Sequence, residues 1–120
     1  SQSDAQSAAY EKNLANLIRD LRRDLKGPSL PVVVAAVGFG GTNMNANTRK
    51  IFEAQMAVGN PGKYPQFAGN VKSIDTRPFY RSREVSPGAQ SACYYENAET
   101  FLEIGEAMGR TMLELTKDKQ

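Results

Sequence analysis

The run Pro31-Val-Val-Val-Ala-Ala-Val37 constrains this chain more than any other segment. It is unbroken, rich in β-branched residues and too short for a buried helix, and it does not alternate, so it predicts a strand buried on both faces. Such strands belong to parallel sheets, with helices on each face and a neighbour on each edge. The flanking sequence has the matching order. From Asp4 to Lys26, Tyr10, Leu14, Leu17, Ile18, Leu21 and Leu25 recur at spacings of three and four, which predicts an amphipathic helix ended by Gly27 and Pro28. After the strand, a Gly-rich loop from Gly38 to Asn45 leads to a helix from Thr48 to Val58, and Asn70 to Thr76 reads as a second, shorter strand. Strand, helix and strand make a βαβ unit that crosses over right-handedly.

Residues 77–93 have no clear period and read as a long loop. Asn97 is placed to cap a last helix from Ala98 to Thr116, with Phe101, Leu102, Ile104, Met108, Met112 and Leu115 as its apolar positions. Gly105 and Gly109 lie inside that helix, where each costs about 1 kcal/mol relative to Ala. Their presence predicts a helix stripe pressed closely against a sheet or another helix. Two strands for three helices leave an α/β architecture incomplete, with the missing strands expected from another chain or an earlier part of the same polypeptide. Leu, Ile, Val and Phe make up 24 of the 120 residues, close to the ~20% level below which chains cannot build a core, so the core within this chain is thin.

Composition removes several function classes. Fifteen Lys and Arg against 13 Asp and Glu leave a net charge of +2, which gives no footprint for nucleic acid. The longest apolar run is far too short to span a bilayer, and Ser1 to Ser7 have no basic region followed by an apolar one, so no membrane insertion is expected. Cys93 is the single cysteine and there is no histidine, so zinc-site spacing is absent and the commonest general base is missing. The Gly38–Asn45 loop offers backbone amides for an anion, yet it has neither a P-loop Lys nor G-x-G-x-x-G spacing, and no cofactor is expected. A tight crossover built on glycine backbone angles is its simpler reading. Thr42 within it has no base to activate its hydroxyl. Arg77-Pro-Phe-Tyr-Arg-Ser-Arg83 interleaves arginines with aromatics, as sugar, phosphate or single-stranded nucleic acid contacts do, although a solvated loop with its aromatics on the sheet edge is expected. Candidate ligand-binding residues are Gly40, Gly41, Thr42, Asn43, Arg77 and Tyr80. Cys93 is read as a small buried hydrophobe.

Tyr10-Glu-Lys-Asn-Leu-Ala-Asn-Leu-Ile-Arg-Asp-Leu-Arg-Arg-Asp-Leu25, Leu30-Pro-Val-Val-Val, Gly40-Gly41, Thr76-Arg77-Pro-Phe-Tyr80 and the stretch from Asn97 to Leu115 resemble the sialate O-acetylesterase-like carbohydrate esterases of the SGNH hydrolase superfamily, nearest carbohydrate esterase family six. The resemblance covers nearly all of the chain and only the C-terminal part of the family's domain, so residues 1–120 read as that portion of one domain. It implies a flavodoxin-like α/β/α sandwich that removes acetyl or similar ester groups from sugars, and it favours an extracytoplasmic setting. In the family a serine in a G-Q-S-N block is the nucleophile, a W-Q-G block supplies oxyanion contacts, and a D-Q-G-x-H-Y type block just before N-A-E-T supplies acid and base. The first two blocks are absent; Gly41-Thr-Asn-Met44 only echoes G-Q-S-N-M. Gapless placement of the third sets Ala89 at the Asp position and Cys93 at the His position. Neither side chain can shuttle the nucleophile's proton or hold an imidazole. The resemblance therefore implies a degenerate portion retained for its fold and surfaces, completing its sheet with another segment or chain, with carbohydrate as a further partner. Two alternatives stand beside it: part of an active O-acetylesterase whose serine and histidine come from another segment, or an assembly subunit whose sheet edge pairs with a neighbour.

Overall fold

The computed structural model describes residues 2–117; Ser1 and residues 118–120 lie outside it. Its elements are α1 (Gln2–Asp24), β1 (Val32–Ala36), α2 (Ala46–Val58), β2 (Val71–Asp75) and α3 (Ala98–Lys117). The two strands pair in parallel, from Val32 opposite Val71 to Ala36 opposite Asp75. A parallel pair requires a crossover, and α2 provides it. That helix begins at Ala46 because the Asn45 side chain accepts the Thr48 N–H at 2.9 Å, fixing the cap before the expected start. It ends at Gly59, where a Cβ would lie 2.4 Å from the Ser73 backbone nitrogen.

Successive strand residues point to opposite faces. On β2, Ser73 donates its hydroxyl to the Gln55 carbonyl of α2 at 2.6 Å, whereas Lys72 reaches Glu114 of α3 at 2.8 Å. α2 and α3 therefore cover opposite faces. α1 lies in the layer of α2, where Ala15 and Ile18 meet Val58, Phe67 and Val71 in one buried cluster. Ala36, Met44 and Phe52 form a second. The result is the expected partial α/β/α arrangement, with α1 and α2 on one face of a two-stranded sheet and α3 on the other.

Four expectations are corrected. β1 is not buried on both faces: Val32 to Ala35 are half-buried and only Ala36 is buried, because among the described residues the strand has a neighbour on one edge only. In α1 the core takes Ala15, Ile18 and Arg22, while Leu17, Leu21 and Leu25 of the expected stripe stay exposed. Arg22 can be buried because its guanidinium donates to the Leu30 carbonyl and to Asn70 Oδ1, each at 2.7 Å, and lies over the Phe67 ring. Cys93 is exposed rather than buried. Finally, Gly105 and Gly109 press against nothing, since a Cβ at either would find no atom within 4 Å. Replacing either by Ala should thus stabilise the chain by about 1 kcal/mol through helix propensity alone. Thermal melts of Gly105→Ala and Gly109→Ala check this, and a lowered midpoint would contradict the open placement.

The unstructured stretch after β2 is a loop, as expected, tightened by three short 3₁₀ turns at Arg77–Phe79, Arg83–Val85 and Ser91–Glu96. The Gly-rich loop after β1 has its own at Gly41–Asn43, entered through Gly40 with φ 79° and Gly41 with φ 57°. Positive φ at both explains the glycine pair.

Candidate functional site

In parallel α/β sheets, ligands sit beyond the carboxyl ends of the strands. Here those ends are joined by one buried hydrogen-bonded knot. The Thr76 hydroxyl donates to the Ala36 carbonyl at 2.5 Å, and the Gly38 N–H donates to the Tyr94 hydroxyl at 2.8 Å. The two hydroxyls lie 3.3 Å apart. With the Thr76 proton committed to Ala36, Tyr94 is left as the donor between them. The Tyr94 ring packs against Phe39 at 4.7 Å and edge-on to Phe101 at 5.7 Å between centroids. A segment 56 residues from Gly38 is thereby fastened across both strand ends.

The knot holds an unusual backbone. Tyr94, Tyr95 and Glu96 are consecutive left-handed residues with φ of 48°, 52° and 59°. Non-glycine residues adopt such angles at a cost of ~1–3 kcal/mol each, so surrounding contacts must impose them. Besides the Tyr94 hydroxyl, the Gly88 N–H donates to the Tyr95 carbonyl at 2.7 Å. This turn carries Tyr95 to within 6.3 Å of Tyr80, ring centre to ring centre. Burial, then the hydrogen bond with Tyr95, raises the Tyr80 phenol above its ordinary range.

Between these walls lies a cleft of about 430 Å³, lined on the loop side by Phe39, Gly40, Asn43, Asn45 and Thr48 and on the other by Tyr80, Ser91 and Tyr95. Of the predicted ligand residues, Gly40, Asn43 and Tyr80 meet here. Gly41 is buried behind them, where a Cβ would crowd the Tyr80 ring at 3.2 Å. Thr42 is exposed outside the cleft. Arg77 is elsewhere: it clasps both Asp75 oxygens, at 2.9 and 2.6 Å, with its guanidinium 4.2 Å above the Phe52 ring. Ser91 and Tyr95 were not singled out by sequence, since no motif announces a left-handed turn built from tyrosines. The lining offers amides, hydroxyls and aromatic faces, with no carboxylate among them. It suits a neutral, hydroxyl-rich ligand better than an ion. Among the described residues no group of His, Cys, Asp or Glu is arranged to hold a metal ion. None of the described helices is long and apolar enough to cross a membrane.

The family model for carbohydrate esterase, sialic acid-specific acetylesterase, matches residues 1–78. The chain belongs to this carbohydrate esterase family. Comparison with curated proteins and with solved structures finds no match. In this carbohydrate esterase chain the match takes in α1, both strands and the loop of Gly40, Gly41, Thr42 and Asn43, and it ends before Tyr80, Ala89 and Cys93. Ala89 and Cys93 are both exposed, and the Cys93 thiol has Gln90 Oε1 for company at 3.6 Å. No imidazole exists anywhere in the chain to accept a proton from it or from Ser91.

Asp75 supplies a pH signature. The hydrogen bonds from Arg77 hold its carboxyl below the ordinary carboxylate range. A depressed folded-state value means that the stabilisation is complete above the ordinary range and is lost as pH falls through the folded value. Asp75→Asn should therefore flatten the acid side of the stability profile, read by circular dichroism during acid titration. Identical acid limbs for the two proteins would contradict the pairing.

Proposed function

We propose that this chain is the C-terminal portion of a carbohydrate esterase domain that retains the fold and the cleft without the hydrolytic machinery, acting as a structural or ligand-contacting component. The observation that carries the reading is the pairing of Ala89 and Cys93, in a chain without histidine, where the family resemblance expects acid and base. Triad chemistry needs an imidazole to take the nucleophile's proton and a carboxylate to orient it. A thiol beside Gln90, with no base near it, supplies neither. The cleft favours retained contact with sugar: aromatic faces stack on the apolar side of a pyranose, while amides and hydroxyls meet its hydroxyl groups.

The chain is expected to release p-nitrophenol from p-nitrophenyl acetate no faster than buffer does. Turnover that disappears in Cys93→Ala would overturn the reading and make the thiol a nucleophile. A second reading, an active O-acetylesterase whose serine and histidine arrive from another segment, is favoured by the open cleft at the strand ends. It requires turnover by the native polypeptide that survives Cys93→Ala.

A further inference from the structure

The stretch 88–97 is a loop whose backbone bonds close on the loop itself. The Gly88 N–H donates to the Tyr95 carbonyl at 2.7 Å and draws the two ends together, the Tyr95 N–H donates to the Gln90 carbonyl at 3.0 Å, and the Asn97 N–H donates to the Tyr94 carbonyl at 3.1 Å. Its neck requires glycine, since a Cβ at Gly88 would lie 2.6 Å from the Tyr95 carbonyl oxygen. Compact surface loops with adjoining ends keep their shape through their own contacts, so they can move as units.

The fastening of this loop to the body is narrow. Ala89 to Cys93 are exposed, whereas Tyr94 is buried. Its hydroxyl accepts the Gly38 N–H at 2.8 Å and meets the Thr76 hydroxyl at 3.3 Å, while its ring rests against Phe39 and Phe101. Neither buried cluster of the body, the one around Ile18 and Phe67 or the one around Ala36 and Phe52, includes a residue of the loop. The loop can therefore leave without emptying a core. Its own backbone works against the closed position. Tyr94, Tyr95 and Glu96 hold φ of 48°, 52° and 59° where the loop rejoins the body, and release lets them relax to the negative angles that such residues prefer. A closed state held by one side chain against strain has an open state near it in free energy.

We infer that residues 88–97 are a strained strap latched by Tyr94, which opens and closes as one piece while the helices and the paired strands stay folded. The strap carries Ser91, Ala92 and Tyr95, one wall of the cleft. Opening takes that wall away and frees the Gly38 N–H, at the place beyond the strand ends where parallel α/β sheets hold ligands. Latched and open states thus differ in the width of the cleft and in one donor at its floor, and a ligand that touches both walls favours the latched one. The strap goes beyond the proposed function, because its motion depends neither on sugar in the cleft nor on ester hydrolysis.

Hydrogen exchange resolved to single amides, on the native polypeptide containing this chain and without ligand, tests it. The Gly38, Gly88 and Tyr95 amides should share one protection factor, below that of the α2 amides, because one opening exposes all three. Gly38 belongs to a different part of the chain, so its sharing the strap's value is the signature of the latch. Protection at Gly38 that differs from that of Gly88 and Tyr95, or a common value equal to that of α2, overturns the inference. Tyr94→Phe keeps the ring and removes the hydroxyl, so protection at Gly88 and Tyr95 should fall roughly tenfold, as loss of one hydrogen bond implies, with α2 unchanged. Unchanged protection at the strap, or an equal fall in α2, overturns the latch. Glu96→Gly and Glu96→Ala remove the same side chain, and only glycine takes a φ of 59° freely. Strap protection should be several-fold higher in Glu96→Gly than in Glu96→Ala, and equal values overturn the strain.

Discussion

Gly38→Ala is expected to destabilise the chain by about 3 kcal/mol or more, at the upper end of what overpacking costs. A methyl there would lie 2.6 Å from the Thr76 hydroxyl and 2.9 Å from the Thr76 backbone. A flexible side-chain end could swing aside, but these atoms cannot, because Thr76 is 1% exposed and bonded to Ala36. The strand ends must part. Parting them breaks the bond from the Gly38 N–H to Tyr94 and releases the left-handed turn that carries Tyr95, so the cleft should loosen with the fold. Urea unfolding measures the first effect. The second is read from proteolysis between residues 88 and 97, which should accelerate in the variant under conditions where the helices remain intact. An unchanged midpoint would show that the close approach of β1 and β2 at their carboxyl ends is wrong.

Phe67→Ala is the other large effect, at about 3–5 kcal/mol, the usual cost of emptying a buried aromatic site. Phe67 is 3% exposed, at the centre of the cluster formed by α1, α2 and β2. Its ring also supports two arginines, Arg19 at 5.5 Å and Arg22 at 5.3 Å, and stacks on Tyr64 at 5.7 Å. Removing the ring withdraws the platform under a buried guanidinium, so the loss exceeds what area alone would give. Phe67→Leu, which refills most of the volume but supports no cation, should recover part of the loss. Full recovery of wild-type stability by Phe67→Leu would contradict the role assigned to the arginines.

How far the sequence could be read depended on whether the controlling contacts were local. The βαβ unit was legible because Val32–Ala36 and the crossover helix are written in short stretches, as is the Asn97 cap of α3, whereas the Asn45 cap of α2 was missed. The incompleteness was legible as well, since an all-apolar strand with one neighbour is an imbalance that strand counting finds. Orientation of α1 was not. Its apolar stripe is wide, and which edge faces the core is decided by α2 and by Phe67, so Leu17, Leu21 and Leu25 fell on the wrong side of the expectation. The glycines of α3 were read as marking a closely packed helix stripe, and the open space around both overturns that reading.

The candidate site was half legible. Glycine marks its own conformations, so Gly40 and Gly41 could be found from composition alone, and they do take positive φ. Tyr94, Tyr95 and Glu96 take the same region without any such mark, because tertiary contacts to Gly38, Gly88 and Phe39 impose it. Arg77 illustrates the converse. An arginine amid aromatics looked available for ligand, and a carboxylate two residues away had already claimed it.

The central claim is that this member of a carbohydrate esterase family lacks the proton-transfer groups of ester hydrolysis. The most direct test is acetate release from acetylated xylan by the native polypeptide that contains the chain, compared with the same polypeptide carrying Cys93→Ala. Release at the buffer rate from both is the predicted result. Turnover above that rate would contradict the account, whether Cys93→Ala abolishes it and makes the thiol catalytic or leaves it intact and places serine and histidine elsewhere in the domain.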